Sequence, residues 1–501
     1  MDLSPKNTTT DFSTLVPDLL PYLRPWERVI AVETPVLRIP EKPLSAVAAI
    51  MQLTGAARPD EIGQKGPAMA AIATEENKNI AELNLYETLF GRDSLIVSGF
   101  LLPQFPALAR ATIIALARLQ GTQENDASEE EPGRILHEDR DAESDIGREL
   151  REKKGWEFPY FGSVDATPLF VNLILAYVKS DGAALLDESF TAKDGKTRTV
   201  RQALDAAVGW ILMRTKQNKE GFLEFCRKNP NGIPNQVWKD SWDSYFHKDG
   251  TIANQEKGIA SIEVQGYAYD ALMGVAELYR TLQNVSTEHI DLIEKRAQLL
   301  AHSVFSLLYV TDAQGSFFAL GTDRGEDDEP RPLMIRTSNM GHLLSSRLLD
   351  GNEPSIVEMR TAVVRTVMSE TMLAASGVRT LATTEVRFRP GAYHNGSVWL
   401  WDSYFIARGL RKHGYVAEAD DLVGRMLRTV TATHKFPEFA RGGNGALPEL
   451  NTRIVDLWDE HMHQTNRIEQ PPQEIQAWTV AAVLAAEYEK THTETKAETV
   501  T

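Results

Sequence analysis

The eight residues "WKDSWDSY" at 238–245 set two carboxylates, Asp240 and Asp243, among three aromatic rings. Related clusters recur as "LFGRDSL" (89–95), "PYFGSVDATPLF" (159–170), "EVQGYAYDA" (263–271), "SNMGHLL" (338–344), "YHNGSVWLWDSY" (393–404) and "FPEFARGG" (436–443). Tryptophan and tyrosine faces pack on the C–H face of a pyranose, while carboxylates and amides bind its hydroxyls, so this composition points to carbohydrate. Cleaving a glycosidic bond takes two carboxyl groups, one protonated to release the leaving oxygen and one ionised to activate water or attack. Asp93, Asp165, Asp240, Asp243, Glu263, Asp402, Glu438 and Glu449 are the candidates, and composition leaves the choice among them open.

Other chemistries find less support. His137, His394 and the "HMH" at 461–463 form neither an H-x-x-x-H helix nor a Cys/His quartet, so no metal is expected. Neither a GxGxxG turn nor a GxxxxGK[ST] loop is present, and no cofactor is implied. Ser94 and Ser397 lack a G-x-S-x-G elbow and read as helix caps. The single cysteine, Cys226, has no internal disulfide partner and reads as a small buried hydrophobe.

The chain that must position these clusters has 501 residues, 42% of them hydrophobic, and a net charge of −17. That charge argues against nucleic acid, whose recognition needs clustered Lys and Arg. The longest apolar run, "LFVNLILAYV", is well short of the roughly 18 residues that span a bilayer, and the N-terminal residues show no signal-peptide pattern. A cytoplasmic protein without a membrane partner is expected. The oligomeric state is left open.

The repeated pattern is helical. From Thr287, "TEHIDLIEKRAQLLAHSVFSLL" places Ile290, Ile293, Ala297, Leu300, Val304 and Leu308 on one stripe, with Ser286 or Thr287 as N-cap. Segments of this kind begin near residues 66, 93, 106, 165, 199, 261, 287, 338, 354, 396, 416 and 472. Strand patterns are confined to "VIAVETPVLRI" near the start and "VRTLATTEVRF" near residue 380. Helices in close pairs, separated by long polar connections at 121–164, 218–260, 311–337, 376–395 and 434–471, predict an all-α helical toroid, an (α/α)6 barrel with long loops on one rim and minor β structure. A stack of helical repeats is the alternative, without a fixed period to support it. Three regions are expected: an N-terminal extension over 1–65, the barrel over 66–490 and a polar, disordered tail over 491–501. Most acids of the charged stretch 124–154 are expected on a solvated face or a mobile lid.

Taken in order, "LFGRDSLIVSGFLL", "EEEPGRILHE", "YFGSVDATPLFV", "WKDSWDSYFHKDGTIA", "IEVQGYAYDAL", "SNMGHLL", "YHNGSVWLWDSYFIARGLRKHG" and "PEFARG" with "IQAW" resemble the amylo-α-1,6-glucosidase family, the glucosidase part of glycogen-debranching enzymes. The similarity runs from about residue 85 to 488. It implies an (α/α)6 barrel that hydrolyses α-glucosidic bonds with inversion. Arg92 and Asp93 match the motif that grips the outer hydroxyls of the glucose to be released. Asp240, in "W-x-D", matches the general acid, with Trp238 and Trp242 as its apolar surroundings. The neighbouring Lys239 would depress its pKa, so that side chain is expected to point away from the cleft. A late "PE" loop should carry the base, either Glu438 or Glu449, with Glu438 preferred. Tyr160, Asp165, Glu263, Gln265, Tyr267, His394, Asn395, Trp399 and Asp402 match subsite contacts, Glu263 serving equally well as a buried structural acid. Asp243 reads as a loop-stabilising or hydroxyl-binding acid.

Family members commonly carry glycine where this chain has Val237 and Trp242, and Pro-His where it has Leu400-Trp401. Bulk beside Asp240 would narrow the leaving-group side, which favours small α-glucosides or short oligosaccharides over branched glycogen. The expectation is an exo-acting inverting α-glucosidase on a small-molecule substrate. A sugar epimerase, lyase or phosphorylase on the same toroid, and a non-catalytic carbohydrate-binding protein, are the rival classes.

Overall fold

The computed structural model describes residues 44–72, 86–282, 285–450, 454–459, 464–469 and 473–498. Twelve α-helices occur among them: α1 (Ala46–Thr54), α2 (Gly91–Leu101), α3 (Pro106–Leu119), α4 (Asp145–Lys154), α5 (Ala166–Asp181), α6 (Val200–Thr215), α7 (Ile262–Thr281), α8 (Thr287–Ser303), α9 (Pro354–Val367), α10 (Leu400–Lys412), α11 (Val416–Thr433) and α12 (Ala477–Glu498). Helix α8 shows why the periodic pattern was readable. Ser286 accepts the His289 N–H at 3.2 Å as N-cap, and Ile290, Ile293, Ala297 and Leu300 are buried on one side. A π-helical turn at 304–308 carries the stripe on through buried Val304 and Leu308. Each such aliphatic side chain contributes about 2 kcal/mol on leaving water.

Six helical segments pack in a closed succession, α2 on α5, α5 on α7, α7 on the 3-10 segment Ser338–Leu344, that segment on α10, α10 on α12, and α12 back on α2. These make the inner ring. Each has an outer partner: α3 on α2, α6 on α5, α8 on α7, α9 on the 338–344 segment, α11 on α10 and α1 on α12. The architecture is the (α/α)6 toroid. An inner helix is enclosed by its neighbours: in α2 every residue but Gly99 is buried, the polar Arg92, Asp93, Ser94 and Ser98 included. In α12, Val480 to Ala486 are buried in succession, and their small side chains admit α1, α2 and α10 closely.

Several element boundaries differ from the sequence expectation. No helix starts near 66; that stretch leads into the strand Ala71–Ile72, which pairs with Ile475–Gln476. The missing outer helix is α1, from the segment expected to be an extension, and it closes the ring by packing on α12. The segment near 338 is 3-10, and the helices expected near 396 and 472 begin at Leu400 and Ala477. Helix α12 runs on to Glu498, into the stretch 491–501 expected as a disordered tail. Of "VRTLATTEVRF", only Val378 is in a strand, Gly377–Val378 paired with Leu373–Ala374. The strand pattern near residue 30 lies outside the described residues.

Within the acidic stretch, the run 129–131 departs from expectation. Glu129, Glu130 and Glu131 are buried ties, not solvated acids. Glu129 Oε1 accepts the N–H groups of Lys228 and Asn229, Glu130 accepts Thr122 N–H and meets Lys193 Nζ at 2.5 Å, and Glu131 accepts Trp210 Nε1 at 2.5 Å beside Arg214 and Lys228. Most other acids of the stretch match the solvated expectation: Glu124, Asp126, Asp141, Glu143, Asp145 and Glu152 are exposed, several of them paired with surface Arg or Lys.

Candidate active site

The inner helices all start towards the same rim, and each brings a polar side chain in or near its first turn. Arg92 and Asp93 open α2, Asp165 precedes α5, Glu263 opens α7, Asn339 begins the 338–344 segment, Asp402 opens α10 and Gln476 precedes α12. Helix N-termini favour groups that accept hydrogen bonds, and the loops entering them supply the remaining polar side chains.

One pocket lies at this rim. Arg92 and Asp93 of α2, Trp238 and Asp240 of the loop before α7, Tyr393, His394 and Trp399 of the loop before α10, and Glu438, Gln476 and Trp478 around the start of α12 line one side. Tyr86, Phe90, His137, Glu138, Arg140, Ile146, Leu150, Trp156 and Ile233 complete it. Asp240 and Glu438 thus share one cavity although almost two hundred residues separate them.

The loop of Asp240 is heavily tied down. Lys239 is buried and directs Nζ away from the pocket to the Thr380 carbonyl at 3.1 Å; burial holds its pKa down to about 8. Asn235 Nδ2 donates to Ser241 O at 2.6 Å, Gln255 Nε2 to Trp242 O at 2.7 Å and Asn395 Nδ2 to Asp243 O at 3.0 Å. His394 receives the Ser241 N–H at Nδ1, 3.2 Å away, and that nitrogen lies 3.8 Å from Asp240 Oδ1. Asp240 itself keeps 13% of its side-chain surface exposed, open to the pocket.

Glu438 is buried opposite. Its Oε1 accepts the Tyr393 hydroxyl, and its Oε2 receives the Gln473 N–H at 3.4 Å. Burial pushes Glu438 up to about 8, against those two donors, with Asp93 and Asp240 adding repulsion. Asp93 is likewise raised by burial to about 7, offset in part by Arg92. Two buried carboxyl groups, Glu438 and Asp93, are thus both held against ionisation in one low-dielectric pocket. Arg92 Nη2, Trp238 Nε1 and Trp478 Nε1 are buried without a hydrogen-bond partner among the described residues. Buried donors of this kind carry a desolvation cost that a hydroxyl-rich ligand would relieve.

Of the residues singled out in the sequence, the pocket gathers Arg92, Asp93, Trp238, Asp240, His394, Trp399 and Glu438. The others lie outside it. Asp165 stands behind Arg92, joined to it at 2.8 Å. Tyr160 is stacked on Trp156 at 3.9 Å and accepts the Ile233 N–H. Gln265 spans the backbone of Leu223, donating and accepting. Tyr267 bonds His342, which bonds Asp402 at 2.6 Å, below the Trp238 ring. Glu263 is buried against Ser261, Asn395 holds the Asp240 loop, and burial raises Asp243 beside Arg387. Trp242 is half-buried and does not line the pocket, so the expected narrowing by its bulk is not found there. Glu449 is 63% exposed and 3.9 Å from Arg441, away from the cavity.

Several lining residues escaped the sequence reading: Tyr86, Phe90, Glu138, Arg140, Ile146, Leu150, Trp156, Ile233, Tyr393, Gln476 and Trp478, with His137 considered only for metal. The motifs "LFGRDSL", "EEEPGRILHE", "YHNGSVWLWDSY" and "IQAW" contain six of these residues, Phe90, His137, Glu138, Tyr393, Gln476 and Trp478, and were the available signal. Helix α4, hidden in the charged stretch, supplies Ile146 and Leu150 as an apolar wall.

The model of the mannosylglycerate hydrolase MGH1-like glycoside hydrolase domain matches residues 185–449, more than half of the chain and inclusive of both Asp240 and Glu438. The chain belongs to this family. The family is thus MGH1-like rather than amylo-α-1,6-glucosidase, while the coarser expectation of a glycoside hydrolase on an (α/α)6 toroid holds.

Solved structures of the same architecture include the GH63 mannosylglycerate hydrolase from Thermus thermophilus in complex with Tris, at 14% identity and TM-score 0.57, covering 89% of this chain and 100% of that one. The same enzyme with Tris and D-glycerate matches at 13% identity and TM-score 0.55, covering 88% and 98%, and with glucose at 14% and 0.55, covering 88% and 99%. No curated protein sequence matches the chain. Among the described residues of this MGH1-like glycoside hydrolase no group of His, Cys, Asp and Glu could hold a metal ion, and no helix is long and apolar enough to cross a membrane.

Proposed function

We propose that the protein is an exo-acting, inverting glycosidase that releases glucose from small α-glucosides or short α-gluco-oligosaccharides. Asp240 acts as general acid and Glu438 as general base. The observation that carries this reading is the pair itself: two carboxyl groups from distant loops facing one pocket, the first partly open, the second buried on a phenol and a backbone donor. Asp240 protonates the glycosidic oxygen as the bond to the anomeric carbon breaks. Glu438 takes a proton from a water that attacks the opposite face of the sugar. Arg92, Asp93 and the indole N–H groups of Trp238 and Trp478 bind the sugar hydroxyls, while the faces of Trp238 and Trp399 cover its carbons.

The solved relatives are compatible with a short acidic leaving group. A Thermus thermophilus enzyme of the same fold is described as a mannosylglycerate hydrolase and was captured with D-glycerate and with glucose. A short acidic aglycone is compatible with a wall that holds His137 and the Arg140–Glu138 pair at 2.7 Å. The test is a panel of α-glucosyl and α-mannosyl glycerates, maltose, isomaltose and trehalose, with the anomer of the released sugar followed by NMR. Immediate β-glucose supports the reading; immediate α-glucose, or turnover restricted to mannosides, refutes it.

The elevated pKa of Glu438 favours a second reading, with Glu438 as the acid and Asp240 as its partner. α-Glucosyl fluoride separates the two, since fluoride leaves without protonation. Asp240→Asn keeps activity on it in the first reading, and Glu438→Gln keeps activity in the second.

A further inference from the structure

The two oxygens of Glu438 are held unequally. Oε1 accepts the hydroxyl of Tyr393 in a short, buried hydrogen bond, whereas Oε2 receives only the Gln473 N–H at 3.4 Å among the described residues. The phenol is itself rigidly placed. Tyr393 is 8% exposed, and its ring meets Trp399 at 5.0 Å, Phe439 at 5.1 Å and His394 at 4.5 Å, edge to face. Its carbonyl is fixed by Trp399 Nε1 at 3.0 Å and by the Ser397 hydroxyl. A ring caged in this way has one direction in which to offer its hydroxyl.

Resting on the reading of Glu438 as base, we propose that Tyr393 is the positioning residue of the base, clamping Oε1 so that Oε2 alone faces the attacking water and takes its proton. In the step, the water oxygen bonds to the anomeric carbon, one water proton passes to Oε2, and the glycosidic oxygen departs with the proton of Asp240. Glu438 ends protonated and Asp240 ionised, and exchange with solvent restores both. The Tyr393 proton stays on the phenol throughout. Burial first, and the Glu438 carboxylate next, push that phenol well above its ordinary pKa, so it donates and does not titrate. Its hydrogen bond lowers the Glu438 pKa against the larger effect of burial.

The test compares the wild type with Tyr393→Phe, which keeps the ring and removes the hydroxyl, using α-glucosyl fluoride, whose turnover needs the base and not the acid. A hydrogen bond to a charged group is worth about one to two pKa units, so the acidic limb of kcat/KM should move up by that amount. At pH 7 kcat should fall about 10- to 100-fold and recover with rising pH, while KM stays within about threefold. A uniform loss at every pH, or an unmoved limb, overturns the proposal. Should Tyr393→Phe fail to fold by its melting profile, 3-fluorotyrosine at 393, a more acidic donor, must move the limb down instead, and an unmoved limb again overturns it. Glu438→Gln separates this from the base assignment. If that variant stays active the base reading falls; if azide restores its lost turnover and the Tyr393 limb is unmoved, only the role of Tyr393 falls.

Discussion

Arg92 is held by Asp165 and not by its sequence neighbour Asp93. Its Nε donates to Asp165 Oδ2 at 2.8 Å, and Ser163 Oγ donates to the other carboxylate oxygen at 2.5 Å, so the guanidinium is oriented from behind while Nη2 stays unpartnered and buried. A buried ion pair of this kind is costly to break from one side, by about 3–5 kcal/mol, because the remaining charge has no water. Asp165→Asn is therefore expected to destabilise the fold by about 3 kcal/mol in denaturant unfolding and to raise KM about tenfold by freeing Arg92. Wild-type stability together with wild-type KM in that variant would remove Asp165 from the site.

That pair also marks what the sequence could and could not disclose. Helix α8 was legible because its stripe and its Ser286 cap are local. The wording of the motifs singled out Arg92, Asp240 and Glu438, and all three line one pocket. Asp165 was read as touching sugar because a motif places a residue near a site without saying which side of its neighbour it occupies. Helix α1 closing on α12 joins residues more than four hundred positions apart, and no periodicity reports such a contact. The run Glu129–Glu131 looked like solvated charge because the groups that satisfy it, Trp210, Arg214, Lys228 and Lys193, come from elsewhere in the chain. Trp242 shows the converse: an unusual residue beside Asp240 in sequence that does not line the pocket.

The pH dependence follows from Glu438. Burial raises its folded-state pKa to about 8 from a usual 4.5, so in the empty pocket the base carries its proton at neutral pH. As a base it works only when ionised, and kcat/KM should rise with pH up to about 8. The same shift works against stability. The unfolded chain ionises near 4.5, so the stabilisation available to protonated Glu438 is complete below that value and lost as pH rises through 8. Glu438→Gln should therefore melt higher than wild type, by a margin that grows from pH 5 to pH 8, at the cost of turnover. A margin that does not change with pH would show that Glu438 does not titrate as assigned.

Glu131 gives the opposite sign. Burial tends to raise its pKa, but Arg134, Arg214, Lys228 and Trp210 outweigh burial and hold it at about 2, below the usual 4.5. Its stabilisation is present above pH 4.5 and lost as pH falls through 2. Glu131→Gln should cost about 2–3 kcal/mol at pH 7 in denaturant unfolding, with a deficit that shrinks steadily on acidification below pH 4.5. A deficit independent of pH would assign the effect to lost packing.

The base and its tyrosine come from different loops, and a glycine lets those loops touch. Val398 and Ala440 exchange both backbone hydrogen bonds at 2.8 Å, and a Cβ added at Gly442 would lie 1.7 Å from the Gly396 carbonyl oxygen. On the far side, the buried Arg379 has no carboxylate among its hydrogen-bond partners in the described residues; besides carbonyls of 370–373 it donates to Gly442 O at 2.6 Å, Gly443 O at 2.9 Å and Asn444 Oδ1 at 2.8 Å, stapling the segment that follows the base. Gly442→Ala must part the two loops or release the staple, and either displaces Glu438 from Tyr393. Misplacement by about 1 Å costs on the order of a hundredfold in rate, so kcat should fall by that factor. Gly443→Ala is the control, since an added Cβ there meets nothing within 4 Å. Equal kinetics for the two variants would mean that the contact between Gly442 and Gly396 does not set the distance between base and phenol.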